Sequence, residues 1–312
     1  MFEELVDRVH AFLFGTPIVR RAAPRLAGTW HTIDSSLPLY ELRRTAWQIR
    51  HGRRRARFPM RVAFTPEAPR YFHGAYQLCE RLNVQITAAP EADVLIHWRN
   101  ATEWGDPPPD LDARAVNARV RDISKRHINE LHGRVFGYDL EPEPDATEFV
   151  AKSDRNATHD GRVVARRSSE AGVVTQRLID NRLDAHMVTD FRVVLFDGRI
   201  VLCVVRYRPV ANRFLGQGFS LLAVLTPPDA CFSATEQAQL AAMCDAVGAD
   251  WAELDVLRDR GSGRLYVVDV NPTPGAPIPS LSRDEDRACW RLQEAGFAQL
   301  LRAHARGLGA GA

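Results

Sequence analysis

Two segments in which polar and apolar residues alternate, Trp251 to Arg258 and Arg264 to Val270, flank the string Gly261-Ser262-Gly263. Period-two alternation predicts strands with one packed and one polar face, and the glycine-flanked string predicts the turn that joins them antiparallel. With those three residues as the loop, Arg260 faces Arg264, Asp259 faces Leu265, Leu257 faces Val267, and Asp255 falls opposite Asp269. Asn271 joins the face of the two acids, while Leu254, Val256, Val268 and Val270 point into a core. Like charges directly opposite in a sheet cost a few tenths to about 1 kcal/mol unless a cation lies between them. Two Asp and one Asn offer hard oxygen donors, the set that suits Mg²⁺, whose remaining positions are filled by water and substrate phosphates. The alternative is a hairpin whose exposed face is simply acidic, which leaves the acid pair and the rigid Pro272-Thr273-Pro274-Gly275 loop without a purpose.

The rest of the chain frames this hairpin. At 312 residues it suits two to three modest α/β domains, and 45% hydrophobic with 26% charged residues is the composition of a folded globular protein. A net charge of +2 is too small to call for a polyanion, and no aromatic stacking platform accompanies the basic run Arg53, Arg54, Arg55 and Arg57, so nucleic acid is not expected. Five cysteines without CxxC pairing read as reduced thiols in a cytoplasmic protein. No apolar run reaches the roughly 18 to 20 residues of a membrane helix, and the acidic start (Glu3, Glu4, Asp7) is unlike a secretory signal.

Residues 1–58 read as a helical, basic extension, either a docking helix with a solvated linker or an attachment to an anionic membrane surface or a partner. Residues 59–116 read as a small open α/β domain: a strand at Val62 to Phe64, a helix over Pro69 to Leu82, and strands at Val84 to Ile86 and Ala92 to Trp98. Pro107 to Pro109 closes it. A helix over Asp122 to Leu131 follows, then strands near Arg134 to Tyr138, Thr147 to Lys152, Arg162 to Arg167 and Gly172 to Ile179. A hairpin of Thr189 to Phe196 and Ile200 to Tyr207 turns at Asp197-Gly198. A strand at Phe219 to Leu225, a helix over Ala234 to Val247 and a last helix over Asp284 to Arg306 complete the reading.

Asp255 followed by Asp269-Val270-Asn271 resembles the metal signature of the ATP-grasp superfamily, an acidic residue and then an acid-x-Asn string on the last core strands. The family more often carries Glu where this chain has Asp269. The resemblance spans residues 118 to 306 and implies an α/β (α+β) ATP-grasp fold, with residues 117–180 as the small lid subdomain and 181–312 as the subdomain with the metal site. It implies ATP and Mg²⁺, with Mn²⁺ as a substitute, held by Asp255, Asp269 and Asn271. Lys152, leaving a strand ahead of the loop Asn156 to Gly161, and Lys125, opening the preceding helix, resemble the family's phosphate-binding lysines, and His159 lies in the covering loop. Gln176, Arg177 and Leu178 occupy the adenine-binding hinge, with Asp180 or Asp184 toward the ribose, and Asn212 resembles a substrate-side or metal-side position.

Guanidinium groups grip carboxylates and phosphates at two points, so Arg192, Arg206 and Arg208 on the first hairpin are candidates for anion and transition-state contacts. A two-residue turn separates the faces of Arg192 and Arg206; a bulged three-residue loop, Phe196-Asp197-Gly198, puts all three on one face. The bulged form is expected here. The activity the resemblance implies is an ATP-dependent carboxylate-amine ligase that activates a small-molecule acid as an acyl phosphate, with Lys152, Arg192 and Arg206 in catalysis. A homodimer is compatible with it. The alternatives are a kinase on the same scaffold and a non-catalytic nucleotide-binding module.

Overall fold

The structure, a computed structural model, describes residues 58–70, 73–109, 111–156, 158–214, 220–275 and 280–309. All of them belong to one compact unit, Phe58–Ala312. The expected helical, basic extension lies outside the described residues. Among these residues no helix is long and apolar enough to cross a membrane.

The chain opens with strand β1 (Arg61–Pro66), helix α1 (Gly74–Leu82), a two-residue strand β2 (Gln85–Ile86) and strand β3 (Val94–Trp98). They form a parallel sheet in the order β2-β1-β3, as helix-separated strands require. Leu78, Val62, Ile96 and Trp98 bury one side of this unit. Gly74 N donates to Pro274 O at 2.9 Å and His73 forms a bridge with Gly275, and the unit shares one core with the main sheet and the last helix of the chain.

Helix α2 (Lys125–Phe136) is capped by Ser124, whose side chain accepts from His127 N, and ends at Gly137 with φ 76°. It runs through Arg134 to Phe136, where a strand is expected from sequence. Ile128, Leu131 and Phe136 lie three to five residues apart and all bury in one core, so helical packing overrides the short β-prone run. Strands β4 (Phe149–Ser153), β5 (Arg162–Val164) and β6 (Val173–Arg177) then make a small antiparallel sheet in the order β5-β4-β6.

Five further strands build the main sheet: β7 (Met187–Phe196), β8 (Arg199–Pro209), β9 (Leu222–Leu225), β10 (Trp251–Arg258) and β11 (Leu265–Asn271), ordered β11-β10-β7-β8-β9 and antiparallel throughout. The short helix α3 (Pro228–Cys231) precedes α4 (Ala234–Val247), which starts with a capping box between Ser233 and Glu236. It stops at Gly248, φ 81°, where a Cβ would lie 2.7 Å from the backbone of Arg119. Helix α5 (Arg283–Gly309) closes the chain.

Strand alternation gives the main sheet two distinct faces. Val193, Leu195, Cys203, Ala252, Leu254, Val256, Val267 and Val270 pack as one core with α2 and α4. The other face is divided along its length. Val194, Phe196, Leu202, Val204 and Trp251 pack beneath α5 and the parallel unit, and further along the same strands this face turns polar and carries the residues described below.

A histidine built into the α2 packing sets a pH limit on the fold. His132 is fully buried, stacked on Phe136 and Tyr266 and edge-on to Tyr138, and neither ring nitrogen has a hydrogen-bond partner. Burial lowers its pKa to about 4. His73 is also lowered to about 4, again by burial. A folded-state pKa below the ordinary 6.5 means the unfolded chain binds more protons between those values. The stabilisation is therefore complete above pH 6.5 and falls away as pH drops toward 4, by on the order of 3 kcal/mol per histidine. His304 has a raised pKa and acts with the opposite sign, its stabilisation being lost as pH rises through that value. Urea midpoints are expected to fall steadily from pH 7 to 4.5, and His132→Phe to remove a substantial part of that slope. A slope identical to wild type in that variant would contradict the assignment.

Candidate metal and phosphate site

Asp255 and Asp269 are direct cross-strand partners, as the sequence predicts, but they are reached through a turn in a different register from the expected one. The turn pairs Arg258 with Leu265, Leu257 with Tyr266 and Val256 with Val267, one residue out of the expected register. A bulge between Val256 and Asp255 then restores it, with Val268 as the extra residue. A bulge puts two successive side chains on one side of the strand. Val268 accordingly leaves the core of Leu254, Val256 and Val270 for a small cluster with Leu140, Ile179 and Tyr266. This corrects its sequence assignment.

The first hairpin follows the same logic. Its turn has two residues, Asp197 and Gly198 with φ of 46° and 69°, and Phe196 pairs with Arg199. The expected three-residue loop is therefore absent. A bulge falls one step later, at Val201, and leaves Arg192 opposite Val204, Asp190 opposite Arg206 and Val188 opposite Arg208. Arg192, Arg206 and Arg208 thus share the face of Asp255.

These arginines do not stand open as a common anion site, because acids on neighbouring positions engage them. Arg192 Nη1 lies 2.7 Å from Glu253, and its Nη2 donates to both oxygens of Asp255 at 3.0 and 3.2 Å. Arg206 Nη2 donates to Asp255 Oδ1 at 2.8 Å, while its Nε pairs with Asp190. The second oxygen of Asp190 lies 3.0 Å from Arg208 Nε. Burial would push the Asp255 carboxyl up, but Arg192, Arg206 and Arg208 outweigh it and hold the group well below the usual carboxylate range. Glu253 is raised, burial exceeding the pull of Arg192. Asp190 and Glu253 escaped the sequence reading, yet each is two residues from a candidate on the same strand, so period two puts it on the same face.

Two lysines approach from the other side. Lys125, the first residue of α2, reaches Asp269 Oδ1 with Nζ at 3.0 Å. Lys152 on β4 donates to Val268 O at 3.3 Å, the carbonyl of the bulged residue. Burial, then the like charge of Lys125, lowers the Lys152 ammonium to about 7 against the pull of Asp269 and Asp255. His159, solvent-exposed with φ 50°, feels the charges of Asp255, Asp269, Arg192 and Lys125. Gly161, two residues on, packs on the Phe214 ring with no room for a Cβ, 2.9 Å from Cδ1.

The expected hinge residues use their side chains locally. Gln176 is buried and bonded to Asn129, Arg177 pairs with Glu143 at 3.1 Å, and Asp180 pairs with Arg182 at 2.7 Å. Arg213 Nη2 donates to Ile179 O at 2.8 Å and so ties the hinge to the segment after Asn212. Asp180 is thus committed to Arg182.

The donor chemistry fits a hard divalent ion. Two carboxylates face each other across the strand pair, and Asn271 sits on the same face opposite Glu253. Its Oδ1 accepts from Thr273 N and Oγ1 at 3.0 and 3.1 Å, which fixes the amide at the mouth of the site. A separate Asp197, Asp250 and His304 group lies at the opposite end of β10. There His304 engages Arg114 O through Nδ1 at 2.7 Å and Asp197 through Nε2 at 3.4 Å, an arrangement that ties α5 to the hairpin turn.

A parallel unit, a small antiparallel sheet and a five-stranded antiparallel sheet together resemble the fold of ATP-grasp ligases. D-alanine–D-alanine ligase from Bacillus anthracis superposes with a TM-score of 0.50 at 10% identity, over 80% of this chain and 98% of that one. An L-amino acid ligase from Bacillus licheniformis matches at TM-score 0.43 and 11% identity, over 70% and 68% of the two chains. The ATP-grasp ligase PsnB, complexed with a precursor variant, Mg and ADP, matches at TM-score 0.38 and 16% identity over 57% of this chain, which spans 58% of PsnB. No family model and no curated protein matches the sequence.

Proposed function

We propose that this chain is an ATP- and Mg²⁺-dependent ligase that activates a small-molecule carboxylate as an acyl phosphate for attack by an amine. The observation that carries the reading is the Asp255 and Asp269 pair, facing across β10 and β11 with Lys125 and Lys152 converging on the same point. Asp255, Asp269 and Asn271 would hold Mg²⁺ or Mn²⁺, and the ion, when bound, would offset charge on the nucleotide phosphates. In this reading residues 117–180 are the lid over the nucleotide, residues 181–312 carry the metal site, and residues 59–116 contribute to the substrate side.

Each residue then has a task in positioning and electrostatics, which carry most of phosphoryl-transfer catalysis. Lys152, small in charge radius and mobile, suits the phosphates, as does Lys125. Arg192 and Arg206, locked by Glu253 and Asp190, present fixed positive charge beside Asp255 where the transferred group would pass. His159 and the segment up to Gly161 would cover the site, and backbone atoms of Gln176, Arg177 and Leu178 would receive the adenine. No protein nucleophile is required.

The test is a screen of amino acids and small carboxylates, with amine acceptors, for ADP release from Mg-ATP, repeated with hydroxylamine as the acceptor. ADP release with a hydroxamate product is expected. ADP release with a stable phosphoester and no hydroxamate would replace ligation by kinase chemistry, and nucleotide binding without turnover on any acid would reduce the chain to a binding module.

A further inference from the structure

The two carboxylates assigned above to a metal are both paired with cations of this chain, but the two pairings differ in kind. Asp255 is held by Arg192 and Arg206, which are 7% and 3% exposed and anchored from behind by Glu253 and Asp190. Those guanidiniums cannot leave without stranding a second buried carboxylate. Asp269 is about as exposed as Asp255, but among the described residues its one ion pair is with Lys125, a 9% exposed side chain at the first position of α2 that reaches it at 3.0 Å and has no second carboxylate anchoring it. Lysine carries a point charge on a rotatable stem, so it can change partners by a rotamer change where an anchored arginine cannot.

We infer that Lys125 is an exchangeable counter-ion: it occupies Asp269 while no metal is present, and it transfers to a nucleotide phosphate when a divalent ion takes that carboxylate. The inference rests on the proposed nucleotide site. A metal arriving alone must displace an ammonium that has nowhere to go. Nucleotide arriving alone meets a lysine already tied to a carboxylate. When both arrive, the carboxylate moves from ammonium to metal and the ammonium from carboxylate to phosphate, so no charge is left unmatched. Lys125 thereby makes metal and nucleotide binding mutually dependent, which keeps Asp269 from taking up a divalent ion without its substrate.

The experiment is equilibrium binding of Mn²⁺ to the full chain, followed by the free-ion EPR signal, with and without a non-hydrolysable ATP analogue. Lys125→Met, which keeps length and removes charge, is expected to tighten binding of Mn²⁺ alone by roughly tenfold, within the 5- to 150-fold range of ordinary coupling between sites, and to shrink the enhancement of Mn²⁺ affinity by the analogue about as much. Lys125→Arg keeps the charge and is expected to keep part of the coupling, and Asp269→Asn to remove the strong ion in every condition. Unchanged or weaker binding of Mn²⁺ alone in folded Lys125→Met would overturn the inference while leaving the nucleotide site standing. Wild-type protein that binds neither Mn²⁺ nor the analogue would overturn both.

Discussion

If the proposed ligase activity holds, Asp269→Asn is expected to lower ADP release by at least about a hundredfold with whichever acid and amine support it in the wild-type protein, and to leave the protein folded. The substitution preserves the shape of the side chain and removes one negative charge. Its structural cost is modest, on the order of 1 kcal/mol, because Asp269 is a quarter exposed and the amide oxygen can still accept from Lys125, itself 9% exposed. A divalent ion at a phosphoryl-transfer site stabilises the transition state by several kcal/mol, and losing a fraction of that suffices for two decades in rate. The two magnitudes separate chemistry from folding. Turnover undiminished in the variant, with an unchanged urea midpoint, would remove the metal site from β10 and β11.

Much of the fold was legible because alternation and turn chemistry are local. The strand and helix order from β1 to α5 follows the sequence reading closely, and α4 begins and ends at the expected residues. What local pattern could not give was the balance between turn and bulge. The Gly-Ser-Gly turn closes one residue away from the expected register, and Val268 absorbs the difference, so the Asp255 and Asp269 pairing emerged from two departures that cancel. The Asp197-Gly198 turn and the Val201 bulge cancel in the same way. In both hairpins a face dense in charge meets a face buried on α2 and α4, and a slip of one residue would drive the charges into that core. Tertiary packing therefore fixes the register that the turn leaves free, and sequence reasoning that followed the face rather than the loop would have reached the same pairs.

The arginines show where pattern reading stops short. Arg192, Arg206 and Arg208 were expected to pool their charge for an anion, and they do share a face. Yet three buried guanidiniums on one sheet without counter-charge would be far costlier than any ligand contact could offset. Asp190 and Glu253 answer that requirement from within the sheet, and neither carries a motif that would single it out. Period two alone places them; only desolvation energetics says that they must be there.

Arg206→Met is accordingly expected to destabilise the protein by about 3 to 5 kcal/mol at pH 7, the cost of removing one partner from a buried ion network. Asp190 and Asp255 both lose a direct partner, and the remaining arginines are already shared with Glu253 and each other. Lys125→Met breaks one pair whose carboxylate is about as exposed as Asp255 and leaves no second acid without its partner, so it is expected to cost less, and the comparison isolates the effect of the network. The pH dependence gives a second check with a definite sign. In the wild type Asp255 sits below the usual carboxylate range, so its paired charge stabilises the fold above the unfolded pKa near 4 and is lost as pH falls. With Arg206 gone that carboxyl moves up, takes a proton more readily, and no longer strands a charge. The deficit of Arg206→Met should therefore hold between pH 7 and 5 and shrink as pH falls through about 4, read from urea midpoints of the two proteins in parallel. A deficit that is constant with pH, or no larger than that of Lys125→Met, would mean that the arginine packs as a hydrophobic stem and that the charges at the head of the main sheet do not act as one network.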